Sequence, residues 1–341
     1  MIKQFPMPIP FGWFCIGYAD ELAKGQVKNV HYFDKDMVLF RTESGELGLT
    51  DPYCPHLGAH LGHGGEVVGE SIRCPFHHWT YDNKGFVTDV PYAKQIPPKA
   101  QGKSCLKTYS IVERDQIIWA WYHPDDLEPF FDVIENPELN DPDWAPLERY
   151  IWSYKSTVQE IAENGVDIAH FKYIHQTDSV PEGETKYEGV VRHSMAEGPN
   201  TMLDGNGTEV EFNSRVDTIQ NGAGQKWSRF QGFVDSMLMV LVTPIDSQNV
   251  EMRFAFTHRD YAEGSFEHRT AKDFIQSVIG GVRGLEADIV IWHNKIHLKD
   301  PLLCDGDGPI MQFRKYFAQF YVGGPYGDET SRLSVVKTAT G

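Results

Sequence analysis

Apolar residues in the first third of the chain come in short runs separated by Gly, Pro and Asp. Runs such as Ile117–Trp121 are rich in β-branched and aromatic residues, which is typical of strands. The pair Ser44-Gly45 lies between Met37–Thr42 and Leu47–Thr50 and indicates the tip of a hairpin. We therefore predict an all-β domain over residues 1–125.

The pattern of apolar positions changes in the rest of the chain, where helical and strand-like spacings alternate. The predicted elements are a Pro- and Asp-rich linker (123–146), a helix (156–173), a strand-rich region (186–260) and a long helix (266–297). Ser265 is the expected N-cap of that helix, although Gly280, Gly281 and Gly284 interrupt its pattern. Together these elements predict an α+β fold, with a second domain over residues 126–341.

Composition narrows the classes of function. The chain of 341 residues has 48 acidic and 31 basic side chains and a net charge of -17, which disfavours binding to nucleic acid or anionic membranes. Its longest aliphatic run, Met237–Val242, is too short to span a bilayer, so we expect a soluble cytoplasmic protein. Five cysteines argue against a disulfide framework, and Cys15, Cys105 and Cys304 are expected to be small buried residues.

Two short motifs in the first domain each combine one Cys with one His. They are Cys54-Pro-His56 and, after seventeen residues, Cys74-Pro-Phe-His77. Mixed ligation of this type suits an iron–sulfur cluster in which imidazoles replace two thiolates and raise the reduction potential. The alternative is a structural Cys₂His₂ zinc site, although zinc fingers more often place the two Cys together and the two His together.

A second group of candidate ligands begins at Asn164. Asp167 and His170 are three residues apart and share a helix face, whereas His175 lies about 140° further round a regular helix. The helix must therefore distort or end near residues 172–174 for both imidazoles to bind one metal. Two histidines and a carboxylate form the open site of non-haem Fe(II) oxygenases.

The segment from Asn164 to His175 resembles the mononuclear iron motif of Rieske oxygenases, and this resemblance implies a carboxylate ligand far downstream, where Asp288 matches and Glu286 is the alternative. His293 and His297 form a rival pair at i, i+4 spacing, but we expect them to be solvated residues on a helix face. His60 and His63, which lie between the two Cys-His motifs, are expected to be ordinary loop residues.

Taken together, the motifs resemble those of Rieske non-haem iron oxygenases. Trp79 and Gly85 extend the similarity to the Rieske [2Fe–2S] motif, and His78 stands where the family usually has Gly. The resemblance implies the following roles: Cys54, His56, Cys74 and His77 hold the cluster, His170, His175 and Asp288 hold Fe(II), and Asn164 and Asp167 match the family's polar residues beside the iron.

The resemblance also implies an architecture and a set of partners. The second domain would be a helix-grip-like catalytic domain, and the protein a homotrimer in which Asp167 joins His170 to the partner subunit's His77. Because no flavin or nicotinamide fingerprint is present, a ferredoxin or a flavin-containing reductase would supply the electrons.

Residues 54–98 and Ile291–Lys295 are similar to the ketosteroid 9α-hydroxylase oxygenase component and the cholesterol 7-desaturases. This similarity implies O₂-dependent hydroxylation or desaturation of a hydrophobic, steroid-like substrate. Several apolar residues could line its cavity or could be ordinary sheet core: Phe230, Phe233, Met237, Met239, Leu241, Phe254 and Phe256.

Three alternatives remain open at this point. The first is an aromatic-ring dioxygenase, or a demethylase or hydroxylase of a smaller polar molecule. The second is a Rieske electron carrier fused to an inert domain, and the third is a zinc-stabilised binding module.

Overall fold

The structure, a computed structural model, describes residues 4–175, 183–203, 208–232, 234–280 and 284–322. Its contacts divide the chain into two compact units. The N-terminal unit is Trp13–Glu135, and the C-terminal unit is Met1–Gly12 together with Asn136–Gly341. The predicted polar tail from Gly323 onward and Phe233 lie outside the described residues.

The N-terminal unit consists of small sheets joined by turns. Its strands are β1 (Gly12–Tyr18), β2 (Val27–Tyr32), β3 (Lys35–Arg41), β4 (Leu47–Thr50), β5 (Glu66–Val68), β6 (Ser71–Arg73), β7 (Thr80–Asp82), β8 (Val87–Asp89), β9 (Ile111–Arg114) and β10 (Ile117–Tyr122). The sheet orders are β1-β10-β9, β2-β3-β4 and β5-β6-β7-β8. The predicted hairpin is confirmed, because β3 and β4 pair antiparallel with Arg41 opposite Leu47.

The core of the N-terminal unit surrounds two of the cysteines. Cys54 and Cys74 are buried in one cluster with Phe40, Ile72 and Tyr81. The expectation of small buried residues holds for Cys15, which is also buried, but it is wrong for Cys304, which is exposed.

The C-terminal unit is built on one antiparallel sheet, in which the described strands run in the order β11-β17-β16-β15-β14-β13-β12. They are β11 (Glu148–Lys155), β12 (Gly183–Glu188), β13 (Val191–Leu203), β14 (Glu209–Asn221), β15 (Gln225–Gln231), β16 (Ser236–Pro244) and β17 (Asn249–His258). The helices are α1 (Val158–Glu163), α2 (Ile168–Tyr173), α3 (Phe266–Ile279), α4 (Leu285–Asn294) and α5 (Ile310–Phe317). Short 3-10 turns occur at Ala19–Glu21, Pro137–Asn140 and Ala318–Phe320.

One face of this sheet packs against helices. Phe230 of β15 and Phe256 of β17 contact Phe274 of α3, with ring centroids 5.1 and 6.0 Å apart. Tyr154 of β11 stacks on Trp292 of α4. The α+β prediction is therefore confirmed, and the space between the sheet and the helices is where functional side chains of both layers meet.

Two predicted helices are each divided in the structure. Residues 156–173 form α1 and α2, separated by a turn at Asn164–Val166, and residues 266–297 form α3 and α4. Ser265 does cap α3, as predicted. Gly284 precedes α4, and a Cβ there would lie 2.6 Å from the carbonyl oxygen of Gly280, so the chain turns too closely for a larger residue. In the part of the chain that the structure describes, no helix is long and apolar enough to cross a membrane.

Candidate metal centres

The two Cys-His motifs form similar loops. The N–H of Gly58 donates to the carbonyl of Cys54, and the N–H of His78 donates to the carbonyl of Cys74, at 2.9 and 3.1 Å. Gly58 and His78 both have a positive φ, of 75° and 60°. The equivalent turns explain why glycine suits the fourth position after each cysteine, and why His78 is strained there.

This strain predicts opposite effects of two substitutions. A left-handed conformation costs a residue with a Cβ about 1–2 kcal/mol. His78→Gly should therefore stabilise the N-terminal unit by about 1 kcal/mol, less the entropy that glycine adds to the unfolded chain. Gly58→Ala should destabilise it by a similar amount, because a Cβ at Gly58 meets no atom within 4 Å and adds only backbone strain. Thermal loss of the cluster's visible absorption would measure both changes in melting temperature, and changes in the same direction for the two variants would contradict the predicted strain.

The imidazoles of His56 and His77 pack edge to face against each other. Their ring centroids are 4.9 Å apart, and His56 stacks on Trp79 at 4.6 Å. The Nδ1 atom of His77 is buried and has no hydrogen-bond partner. A buried nitrogen without a partner costs free energy, and a metal bound at this lone pair would remove that cost. The four side chains therefore fit a cluster with mixed ligation.

The thiols need positive charge nearby to ionise. Burial is the largest cause that raises the pKa of Cys74, and the neighbouring Cys54 adds to it. Iron ions would supply the missing positive charge, since a coordinating thiol is deprotonated. The hydroxyl of Tyr81 lies 3.1 Å from the Cys54 sulfur. Burial raises the pKa of Tyr81, so the hydroxyl keeps its proton and can donate it to a thiolate.

This contact predicts a shift in reduction potential. A hydrogen bond to a cluster sulfur raises the potential, so Tyr81→Phe should lower it by roughly 40 mV, the equivalent of about 1 kcal/mol for one electron. Potentiometric titration of the visible spectrum measures this shift. Tyr53→Phe is the matched control, because Tyr53 precedes Cys54 but is exposed. An unchanged potential in Tyr81→Phe would show that the hydroxyl does not act on the cluster.

The second centre is formed by His170 on α2, by His175 just after the end of that helix, and by Asp288 on α4. The ligand atoms of His170, His175 and Asp288 lie within 4.8 Å of one another, and His175 Nε2 is 3.2 Å from Asp288 Oδ2. Helix α2 ends at Tyr173, as the spacing of the two histidines requires. Two imidazoles and one carboxylate at these distances can hold a divalent metal ion on one face.

Asp288 is buried, with 4% of its surface exposed, and it joins this group from the first turn of α4. Glu286, the alternative two residues earlier, is exposed and is not in the group. Buried carboxylates are normally paired or bound to a metal, so the structure favours Asp288 as the acidic member.

The ring of His170 is oriented from two sides. Its Nδ1 donates to the main-chain carbonyl of Asp167 at 2.5 Å, and the side-chain amide of Asn164 lies 3.0 Å from Nε2. Burial is the main cause that lowers the pKa of His170. The imidazole is therefore neutral at pH 7, and its Nε2 lone pair, which faces the Asn164 amide in this structure, is the one that would bind a metal.

The contact between Asp167 and His170 differs from the one that the family resemblance implies. Its carboxylate caps α2 by accepting the backbone N–H of His170 at 3.3 Å, whereas its carbonyl, and not its carboxylate, accepts the imidazole N–H. An N-cap residue has extended backbone angles, and here they place the carbonyl beside the ring. The carboxylate keeps one oxygen for a further donor.

The expectation of a solvated residue on a helix face holds for His293, which is exposed on α4, but it is wrong for His297. Helix α4 ends at Asn294, so the two histidines do not share a helix face, and His297 is buried against Glu160 at 2.6 Å. Lys295 also contacts Glu160, at 2.6 Å. Burial raises the pKa of Glu160, but His297 and Lys295 outweigh this effect and hold it below its usual value.

A second buried ion pair, between Glu163 of α1 and Arg314 of α5, was also missed from the sequence. The only indication of these buried pairs in the sequence was that Glu160 and Glu163 lie three residues apart in a mostly apolar stretch. Because α1 precedes His170 and Lys295 follows α4, the two pairs fix the elements that carry the candidate ligands.

Of the predicted cavity residues that the structure describes, three face away from the helices and three face toward them. In the register of β16 and β17, Leu238 lies opposite Phe256 and Met239 opposite Ala255. Since side chains alternate between faces, Met237, Met239 and Leu241 are core residues on the far side of the sheet. Phe254, Phe256 and Phe230 are on the side of the helices.

Comparison with known proteins agrees with both centres. Residues 12–110 match the Rieske [2Fe–2S] domain, and residues 120–321 match the 3-ketosteroid 9α-hydroxylase C-terminal domain. The chain belongs to the ketosteroid 9α-hydroxylase group of Rieske oxygenases. This membership confirms the predicted family and rules out a zinc-stabilised module.

Relatives in this group share most of their length with the chain. The 3-ketosteroid-9-alpha-monooxygenase oxygenase component of Rhodococcus rhodochrous is 30% identical over 91% of this chain and 80% of its own length. Cholesterol 7-desaturase of Caenorhabditis elegans is 30% identical over 94% of this chain and 78% of its own length.

Solved structures show the same fold. Dicamba monooxygenase bound to dicamba superposes with a TM-score of 0.69 and 16% identity, over 91% of this chain and 96% of that chain. Its membership of the ketosteroid 9α-hydroxylase group makes the present protein an oxidoreductase, and as the oxygenase component of such a system it receives its electrons from a separate protein. The alternative of an electron carrier with an inert second domain is not supported, because residues 120–321 match the 3-ketosteroid 9α-hydroxylase C-terminal domain.

Proposed function

We propose that this oxygenase component uses O₂ and externally supplied electrons to hydroxylate or desaturate a hydrophobic, steroid-like substrate. The observation that carries the proposal is the group of His170, His175 and Asp288 in a chain that also has a Rieske domain. The names of the relatives, a ketosteroid monooxygenase and a cholesterol desaturase, support the substrate class.

The proposal assigns the cluster to Cys54, His56, Cys74 and His77. When bound there, the cluster accepts and passes on one electron at a time. The protein supplies the buried thiols, the Tyr81 hydroxyl that donates to Cys54, and the Trp79 ring that fixes the plane of His56. The unpartnered Nδ1 atom of His77 supports its place among the ligands.

We assign the mononuclear iron to His170, His175 and Asp288. When bound there, iron activates O₂ for attack on the substrate. The Asp167 carbonyl fixes the tautomer of His170, and the N-terminal turn of α4 holds Asp288. The Asn164 amide lies where it can orient a group on the open side of the metal.

We also propose a homotrimer in which electrons pass between subunits. Exposed apolar side chains surround the cluster ligands and also flank Asp167, which is the surface expected where another subunit packs. They are Tyr53, Leu57, Phe76 and Tyr92 around the cluster, and Ile168 and Tyr173 beside Asp167. In such an assembly the Asp167 carboxylate would accept a hydrogen bond from the partner subunit's His77.

The proposed path of the electrons also assigns a role to each domain and a location to the protein. Residues 1–125 accept electrons from a ferredoxin or a flavin-containing reductase, and residues 126–341 carry out the oxygen chemistry. A cytoplasmic location is part of the proposal and is supported by the odd number of cysteines.

A product screen tests the substrate class. The purified protein, a surrogate reductase and NADH would be incubated with ketosteroids, sterols and small aromatic acids under ¹⁸O₂. We expect a steroid product that carries one labelled oxygen, or a new double bond with the label in water. Two labelled atoms in an aromatic diol, or turnover of small polar molecules alone, would contradict the proposal.

A further inference from the structure

A row of polar side chains crosses four strands on the side of the sheet that faces the helices. Across β12 to β15, Tyr187 lies opposite Arg192, Arg192 opposite Gln220, and Gln220 opposite Lys226.

The side of the sheet that this row occupies follows from β15. Lys226 and Phe230 are four residues apart on this strand and therefore share a face, and Phe230 packs on α3. On the same face, β16 and β17 present Leu238, Phe254 and Phe256. This surface is thus polar on one half and apolar on the other.

Arg192 is buried, with 2% of its surface exposed, but its guanidinium donates hydrogen bonds only to neutral groups among the described residues. The guanidinium donates to Ser194 Oγ at 3.2 Å, Gln220 Oε1 at 3.4 Å and the Gly165 carbonyl at 3.2 Å. Other buried arginines of this unit pair with carboxylates, as Arg314 does with Glu163. Within the described residues no acidic group pairs with Arg192.

Lys226 is the second cation in this row. It is surrounded by protein, and burial, followed by the charge of Arg192, lowers its pKa to about 7. Part of its side chain nevertheless stays accessible. In the described part of the chain its amine makes no hydrogen bond or ion pair, although a buried ammonium is normally paired.

The two cations converge beside Gly165. A Cβ on this glycine would lie 3.1 Å from Lys226 Nζ and 3.4 Å from Arg192 Nη2. The backbone of Gly165 does not have the positive φ that favours glycine, so the missing side chain leaves space for the cationic groups. Asn164, the preceding residue, contacts His170, which places the cations next to the turn that leads into α2, the helix of His170.

We propose that Arg192 and Lys226 form a buried subsite for the carboxylate of an otherwise apolar substrate. Two neighbouring positive charges without an anion repel each other, and a bound carboxylate would satisfy both. The apolar half of the same surface, at Phe254 and Phe256, suits the body of the molecule. This inference rests on the proposed function and narrows its substrate class to steroid acids.

Binding measured without turnover tests the subsite. The holoenzyme would be titrated calorimetrically, in the absence of O₂, with a ketosteroid carboxylic acid and with its methyl ester. A charge-assisted hydrogen bond predicts that the acid binds at least about tenfold more tightly than the ester. Lys226→Met should reduce this acid-to-ester ratio about tenfold. The matched control is Lys186→Met, which removes an exposed lysine on β12 and should keep the wild-type ratio.

Thermal unfolding provides a second readout. Lys226→Met removes a buried charge that has no counter-ion, so the ligand-free variant should melt no lower than the wild type, and the acid should stabilise it less. Equal binding of acid and ester by the wild type, or an unchanged ratio in Lys226→Met, would overturn the subsite. Selective binding of the acid without oxidation of any steroid would refute the proposed function instead.

Discussion

Replacing Asp288 with alanine is expected to reduce steroid turnover below about 1% of the wild-type rate. Substitution of a residue that only supports a metal ligand already costs about 10–100-fold in metal affinity or activity, and loss of a ligand costs at least as much. The cluster lies in the other unit and should be retained. Iron content, visible absorption and product formation would be measured on the same preparation.

Glu286→Ala is the matched control for this experiment. Glu286 is an acidic residue on the same helix, two positions away, but it is exposed. Its removal should leave iron content and turnover close to the wild-type values. If Glu286→Ala lost the iron and Asp288→Ala kept it, the assignment of the third ligand would be wrong.

Replacing Asp167 with asparagine is expected to slow electron transfer to the catalytic iron about 100-fold while both metal centres stay bound. Asparagine is as good an N-cap as aspartate, so α2 and the position of His170 should be preserved. What is lost is the negative charge that would bind the partner subunit's His77. Single-turnover reactions, started by O₂ with a pre-reduced cluster, would report the rate of cluster oxidation.

Asp167→Ala separates the two roles of this residue. It removes the charge and the cap together, and loss of the cap alone costs about 1 kcal/mol. Asparagine and alanine variants should therefore be equally slow in electron transfer but differ in melting temperature. A normal rate in Asp167→Asn would rule out the bridge, whatever the alanine variant does.

Features that depend on neighbouring residues could be predicted from the sequence. The two Cys-His motifs span only three and four residues, so their spacing already restricts the geometry of the ligands. The end of α2 at Tyr173 follows from the separation of His170 and His175 on a helix. Asp288 could be assigned only through resemblance, because its distance along the chain gives no geometric restraint.

Features that depend on distant contacts could not be predicted. Glu160 and His297 are far apart in the chain, and neither looks buried from its neighbours in the sequence. The polar row through Arg192, Gln220 and Lys226 depends on strand register, which alternation alone does not specify. Glycines in the sequence indicated the break between α3 and α4. The helical spacing of apolar residues continues across these glycines, however, and favoured one continuous helix.

One chain of this protein should hold both a Rieske cluster and a separate iron bound by His170, His175 and Asp288. Iron and acid-labile sulfide per chain should be measured on the wild type and on His170→Ala, together with the spectrum of the reduced cluster. We predict that the wild type contains one iron more than its sulfide accounts for, and that His170→Ala loses this iron and keeps the cluster spectrum. Equal iron contents in the two proteins, with no iron beyond that of the cluster, would contradict the account.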